Sequence, residues 1–208
     1  MSAGPQRGEG RPLTALDAIF TRRSVRAYSR QRVDAQTIRS LLDAAVQAPT
    51  AMHAEPWVFV VIQDETVLRR YSDRAKGLWA KEALAHHGDL HVGADAAVRS
   101  AFAERLASPD FCVFYDASTL IAICARSLGP FVVADCWLAA ENLMLAACAL
   151  GLGSCCFGSA VPALNSPETR SELGLPVDVE VVAPIIVGVP SGTAGEMPRK
   201  EPQVLYWK

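Results

Sequence analysis

The sequence has little of what several common protein chemistries need. Only four histidines occur, and the six cysteines form no Cys-x-x-Cys pair, so we expect no bound metal. His87 and His91 have the spacing of a helical metal pair, but no set of acidic or cysteine ligands accompanies them. The sequence also lacks a Walker A loop and a G-x-S-x-G elbow, which argues against P-loop and elbow-type hydrolase chemistry.

A strong excess of charge of either sign is missing as well. The formal net charge is −2 at pH 7, so nothing in the overall charge favours nucleic acid or an anionic membrane as a partner. The first residues, 1–12, are rich in glycine, proline and charge and have no apolar signal core. We therefore expect a disordered leader at 1–12, one domain at 13–208, and a cytoplasmic protein whose cysteines are reduced.

The pattern of apolar residues predicts alternating helices and strands. Thr14 and Asp34 are typical helix N-caps, and the loop between Pro49 and Pro56 separates the second helix from the first strand. The remaining predicted helices are Glu65–Arg74 and Ala94–Leu106, and the predicted strands are Trp57–Ile62, Ser118–Cys124 and Glu180–Val189. This order indicates an α+β or mixed α/β layer arrangement.

The long apolar segment Phe131–Leu150 predicts a central helix that ends at Gly151. Its length would suit a membrane span, but Asp135, Glu141 and Asn142 argue against one because charges inside a membrane are costly. A helix that is apolar nearly all round must be buried on every side. We therefore expect a second subunit to cover part of it, and no membrane partner.

Glycines after this helix superficially resemble a dinucleotide-binding fingerprint. Gly151, Gly153 and Gly158 have the wrong spacing, and they follow a helix rather than a strand. We therefore predict a helix C-cap and a tight loop here, with Cys155 and Cys156 as structural thiols. The short apolar tail Val204–Trp207 is long enough to pair with a sheet edge in its own or another subunit.

A combination of motifs is more specific than any of these features. Arginines cluster between residues 22 and 32, which suits a small anion but also a solvated surface. The sequence then carries Arg22-Arg23-Ser24-Val25-Arg26, Pro49-Thr50-Ala51 ahead of Pro56-Trp57, Glu141-Asn142 ahead of Gly151-Leu152-Gly153, and Gly188-Val189-Pro190 ahead of Arg199-Lys200. In this order, from about Leu13 onward, the sequence resembles the nitroreductase family.

The resemblance implies an α+β fold with a central mixed, mainly antiparallel sheet flanked by helices, in an intertwined homodimer with FMN at the subunit interface. It implies that Arg22, Ser24 and Arg26, with Arg23 beside them, hold the FMN phosphate and ribityl chain. Either Arg199 or Lys200 would complete that phosphate site.

The same resemblance assigns further residues to the flavin. The loop Pro49, Thr50 and Ala51 would reach the flavin of the partner subunit. His53 stands where the family commonly has asparagine, and Glu55 where it has glutamine. Gly158 and Ser159 would present backbone N–H groups to flavin N5, and Arg74 and Lys76 would lie near its N1/O2 edge.

The implied activity is that of an FMN-dependent oxidoreductase with no catalytic side chain of its own. A hydride would pass from NAD(P)H through flavin N5 to a small acceptor, such as a nitroaromatic or a quinone, by a ping-pong mechanism. Two alternatives stay open. One is an FMN-binding or FMN-sequestering module with little turnover, and the other is a specialised family member such as a dehalogenase or dehydrogenase.

Overall fold

The computed structural model describes residues 13–85, 104–195 and 197–208. The predicted leader, His87, His91 and most of the predicted helix Ala94–Leu106 lie outside the described residues, although residues 104–107 are helical.

The N-terminal half begins with two capped helices. Helix α1 (Ala15–Thr21) starts at a capping box in which the Thr14 hydroxyl accepts from the Asp17 N–H at 3.1 Å and the Asp17 carboxylate accepts from the Thr14 N–H at 2.9 Å. Helix α2 (Ala35–Ala45) is capped by Asp34, as predicted. Strand β1 (Trp57–Ile62) follows, and helix α3 (Glu65–Ala85) continues well beyond its predicted end at Arg74.

The C-terminal half supplies three strands and the central helix. The elements in chain order are β2 (Thr119–Arg126), α4 (Val132–Ala149), β3 (Gly153–Cys156), α5 (Val161–Leu164), α6 (Pro167–Leu173) and β4 (Val179–Gly188). The strands form one antiparallel sheet in the order β1-β2-β4-β3. The α+β prediction is confirmed.

Strand β3 corrects the expectation of a loop after the central helix. Gly151 ends the helix in the left-handed conformation, with φ 74°, as expected of a C-cap glycine. From Gly153 onward, however, the chain pairs with β4, with Gly153 opposite Gly188 and Cys156 opposite Ile185. The glycines suggested a turn, but Gly153 lies in a strand, where the side chain of Val25 packs closely on it.

Successive residues of β2 point to opposite faces of the sheet, and each face has its own core. Leu120 packs with Tyr71 of α3 and Leu164 of α5, whereas Ile121 packs with Leu41 of α2 and Leu143 of α4. All six side chains are almost fully buried. The sheet is therefore a middle layer between two helical layers.

Helix α4 is long and apolar enough to cross a membrane by length and composition alone. One side of it packs on the sheet and α2, burying residues such as Cys136, Ala139 and Leu143. The rest of its surface, with the neighbouring helix α1, stays exposed in the single chain. We call this exposed surface the α1/α4 apolar face; it consists of Leu16, Ile19, Phe20, Phe131, Val133, Trp137, Leu138 and Leu150.

Candidate functional site

The segment from Arg22 to Ser29 lies against the end of the sheet. Ser24 forms a parallel bridge with Ser154 of β3, and the Val25 N–H donates to the Ser154 carbonyl at 3.0 Å. Farther along, the Ser29 N–H donates to the carbonyl of Val189, just beyond β4, at 2.8 Å. The segment therefore crosses the ends of β3 and β4, and the strands fix its backbone.

Two glycines make this close crossing possible. A Cβ at Gly153 would lie 2.8 Å from Cβ and Cγ1 of Val25, and a Cβ at Gly188 would lie 2.8 Å from Cδ1 of Tyr28. Carbon atoms in ordinary contact are about 3.5–4.0 Å apart. Gly153 and Gly188 lie opposite each other on neighbouring strands, so together they form a flat surface without side chains on which the segment packs.

Three alternate side chains of the segment lie near enough to one buried thiol to affect its pKa. Burial raises the pKa of Cys155, and the charge of Arg26, a hydrogen bond from Ser24 and the charge of Arg22 oppose that rise. Arg26 is exposed and makes no hydrogen bond or ion pair with any described residue. The structure therefore brings Arg22, Ser24 and Arg26 together on one side of the segment, with Arg26 free to bind an anion.

Arg22 is the most buried cation of this group. Its Nε lies 3.4 Å from Oε1 of Glu141 on α4, yet it makes no hydrogen bond with a described residue. Arg23 faces elsewhere, since its Nη1 donates to the carbonyls of Phe20 and Arg22 at 2.7 and 2.8 Å. Arg23 thus satisfies carbonyls at the end of α1, which is a structural role.

The turn after β3 carries two backbone N–H groups that have no acceptor among the described residues. Gly158, Ser159 and Ala160 form one 3₁₀ turn, in which the Ala160 N–H bonds to the Phe157 carbonyl. The N–H groups of Gly158 and Ser159 precede that bond and have no acceptor within the turn. Gly158 is exposed, and a Cβ there would meet none of the described residues within 4 Å, so this part of the chain leaves the space beside Gly158 open.

Trp79 of α3 holds this turn in place. Its Nε1–H donates to the Ser159 carbonyl at 2.9 Å, and its ring stacks on Phe157 with the ring centroids 6.4 Å apart. The position of the two free N–H groups is therefore set by the core rather than by the turn alone.

The loop after α2 is strained. Met52, His53 and Glu55 have φ values of 56°, 53° and 42°, a left-handed conformation that costs non-glycine residues roughly 1–2 kcal/mol each. The Ala51 N–H donates to Oδ1 of Asp135 at 3.2 Å, and the Glu55 N–H donates to the Thr50 hydroxyl at 3.4 Å. Pro49 and His53 are exposed. Backbone strain of this kind clusters at active sites and ligand clamps, which makes this loop a candidate for contact with a ligand.

Arg74 and Lys76 have partners inside the chain. Arg74 bonds to the Thr169 hydroxyl at 2.9 Å and pairs with Glu172 of α6. Lys76 donates to the Phe111 carbonyl at 3.0 Å and pairs with Asp73 at 2.9 Å. Both cations therefore fasten α3 to its neighbours, and the structure does not bring them to the Arg22–Ser29 segment.

Arg199 and Lys200 lie in the C-terminal tail, which is exposed and has no helix or strand over residues 197–208. Neither makes a hydrogen bond or ion pair with residues 22–29 among those the structure describes, and Val204–Trp207 forms no strand there. Within the described ranges, no group of three or more His, Cys, Asp or Glu side chains is placed to hold a metal ion.

The residues that come together fit a phosphate-bearing flavin. Arginines with a serine suit a phosphate dianion, and the open space above two free N–H groups suits a planar ring with an acceptor atom. The sequence interpretation missed the supporting side chains Asp135, Glu141 and Trp79. The signal for the first two was present, since a polar stripe on an otherwise apolar helix demands partners.

Comparison with known proteins identifies the family. The family model named Nitroreductase family matches residues 19–189, so the chain belongs to the nitroreductase family of oxidoreductases. A curated relative from Archaeoglobus fulgidus, named NADH dehydrogenase/NAD(P)H nitroreductase, is 29% identical over 84% of each chain. The NADH dehydrogenase of Thermus thermophilus is 28% identical over 86% of this chain and 88% of its own length.

A solved structure shows the same fold. The nitroreductase of Bacteroides fragilis, crystallised with bound FMN, is 28% identical and superposes with a TM-score of 0.75. The match covers 93% of this chain and 98% of that one.

Proposed function

We propose that this chain is an FMN-dependent oxidoreductase that uses NAD(P)H to reduce a small acceptor. The observation that carries the proposal is the row of Arg22, Ser24 and Arg26 beside β3, which leads directly into the free N–H groups of Gly158 and Ser159. The FMN bound to the solved relative supports the choice of cofactor.

Each part of the chain has a binding task in this proposal. Arg26 and Arg22 hold the phosphate, because guanidinium forks bind phosphate oxygens in pairs. The carboxylate of Glu141 pairs with Nε of Arg22, so the two terminal guanidinium nitrogens of Arg22 can bind the phosphate. Arg199 or Lys200 joins them when the tail is docked.

FMN held by these residues would supply the redox chemistry, hydride transfer between NAD(P)H and the second substrate through flavin N5. The protein fixes the ring with the backbone donors of Gly158 and Ser159, which survive any change of side chain other than to proline. No acid–base side chain is needed for this exchange, and the two substrates use one open pocket in turn. Nitroaromatics and quinones are the proposed acceptor classes.

The enzyme is proposed to be a cytoplasmic homodimer with shared sites. The α1/α4 apolar face is too large an apolar surface to leave in water, and a second copy would cover it. In that dimer the loop Pro49–Ala51, with His53, contacts the flavin that the partner's arginine segment holds.

Two measurements test the cofactor and the shared site. Denaturing the purified protein and chromatographing what is released is expected to give FMN; FAD would refute the assignment. Co-expressing an Arg22→Ala/Arg26→Ala chain with a chain carrying bulky residues at Thr50 and Ala51 is expected to restore about one active site per heterodimer. If each site were built within one chain, every site would carry one defect and activity would stay low.

A further inference from the structure

Three polar side chains interrupt the apolar helix α4, and each contacts the candidate site or the chain leading into it. Glu141 pairs with Arg22, as described above. Asp135 accepts from the Ala51 N–H, and Asn142 donates to the Ala44 carbonyl at 3.3 Å. Asp135 and Asn142 are seven residues apart and therefore share one face of the helix. Side chains on that face therefore hydrogen-bond to both ends of the segment from Ala44 to Ala51.

Of these three polar side chains, Asp135 is the one that is costly to bury. It is 4% exposed, its Oδ1 makes the 3.2 Å bond to Ala51, and its Oδ2 is buried without a hydrogen-bond partner among the described residues. A buried carboxylate is unfavourable unless it is bonded, even in the first turn of a helix, where the dipole helps it. An apolar side chain would pack here at lower cost, so packing does not explain an aspartate.

The loop that Asp135 contacts needs an anchor. Three of its residues are left-handed without being glycine, so the backbone tends to relax to an ordinary conformation. The Ala51 N–H begins the 3₁₀ turn Ala51–His53, directly ahead of Met52, the first strained residue. A bond at this point resists relaxation of the whole turn.

We propose that Asp135 is a positioning residue that holds the loop Thr50–Glu55, through the Ala51 N–H, in the strained conformation that contacts the flavin. The identity of the ligand rests on the proposed function, whereas the link between Asp135 and the loop does not. The role is to accept one hydrogen bond, which a neutral amide can also do.

Replacing Ala51 by proline removes the N–H and little else. Thr50 has φ −130° and ψ 150°, the extended conformation that proline requires of the residue before it. Ala51 is the first residue of its turn, a position that proline favours in helices. The matched control is Ala35→Pro, because Ala35 also follows an extended cap residue and its N–H has no acceptor among the described residues.

Titrating flavin-free protein with FMN measures the effect of these changes. Asp135→Ala and Ala51→Pro are each expected to weaken FMN binding about tenfold, the scale of one lost charged hydrogen bond. Asp135→Asn stays within about threefold of the wild type because it keeps an acceptor, and Ala35→Pro leaves the affinity unchanged. In the Ala51→Pro background, Asp135→Ala adds less than about twofold because the shared bond is already gone.

Hydrogen exchange of the flavin-free protein tests the link without the cofactor. Asp135→Ala is expected to speed exchange in the peptide covering residues 50–55, and Asp135→Asn is not. Wild-type affinity in Ala51→Pro, additive effects in the double variant, an Asp135→Asn as weak as Asp135→Ala, or unchanged exchange in Asp135→Ala would each overturn the proposal. If Asp135→Ala does not fold, Asp135→Asn and Ala51→Pro still decide it. If the wild type binds no FMN, the proposed function fails while the exchange result stands on its own.

Discussion

Replacing Gly153 by alanine tests whether the segment Arg22–Ser29 packs directly on the glycine backbone of β3. The new Cβ would lie 2.8, 2.8 and 2.9 Å from Cβ, Cγ1 and Cγ2 of Val25, against an ordinary separation of about 3.5–4.0 Å. The segment must retreat by roughly 0.7–1.2 Å, and overpacking of this kind typically costs about 1–3 kcal/mol. Alanine also lowers the conformational entropy of the unfolded chain, which stabilises the folded protein by about 0.4–1 kcal/mol and offsets part of that cost. We therefore expect a net loss of up to about 2.5 kcal/mol in the free energy of unfolding.

The assay is denaturant unfolding together with FMN titration. Because the displaced segment carries Arg22 and Arg26, Gly153→Ala is expected to weaken FMN binding as well as lower stability. Gly77→Ala is the matched control: its Cβ meets nothing within 4 Å, and in the middle of α3 it should stabilise by roughly 0.5–1 kcal/mol.

A compensating change sharpens the test. Val25→Ala removes two of the three contacting atoms, so the loss in Gly153→Ala/Val25→Ala should be smaller than the sum of the single losses. If Gly153→Ala had wild-type stability and FMN affinity, the reasoning about this packing would be refuted.

Three further predictions concern other parts of the chain. Arg26→Ala should weaken FMN binding by about 1.5–3 kcal/mol, the scale of a charged hydrogen bond, whereas Arg30→Ala, an exposed arginine farther along, should leave FMN affinity unchanged; equal affinities in both variants would remove Arg26 from the site. Asn165→Ala should lower the free energy of unfolding by about 2 kcal/mol in urea titrations, because this side chain makes two hydrogen bonds, of 2.8 and 2.9 Å, to the backbone of one β4 residue; a loss below about 0.5 kcal/mol would contradict this. Hydrogen bonds from two arginines of α3 lower the pKa of Glu172 from 4.5 to about 2, so its contribution to stability is present above pH 4.5 and is lost as the pH falls towards 2. The stability gap between wild type and Glu172→Gln should therefore shrink over that range, and a gap that does not depend on pH would count against the ion pairs.

Elements with strong local signals were predicted well from the sequence. The caps at Thr14 and Asp34, strand β1 and the central helix α4 all lie where the pattern of apolar and capping residues placed them. These signals are local in the chain, and the energy that they report is largely local too.

Strand β3 and the supports of the site could not be predicted in the same way. Gly153 looks like a loop residue because its reason for being glycine, the side chain of Val25, is far away in sequence. The partners of Asp135 and Arg74 are likewise set by packing between distant segments. The polar residues Asp135 and Glu141 on the apolar helix α4 indicated that polar partners exist. Only the three-dimensional structure shows that these partners are Ala51 of the strained loop and Arg22.

The proposed enzyme reduces and reoxidises its bound FMN in each catalytic cycle, whereas a flavin-sequestering module would only bind it. Mixing FMN-loaded protein with NADH or NADPH without oxygen, and following the yellow absorbance, tests that claim most directly. The account predicts rapid bleaching by at least one of the two nicotinamides and recovery of the colour when a quinone or nitroaromatic is added. Retained yellow colour with both nicotinamides, in protein whose flavin is still reduced by light, would contradict the account and leave a flavin-sequestering module.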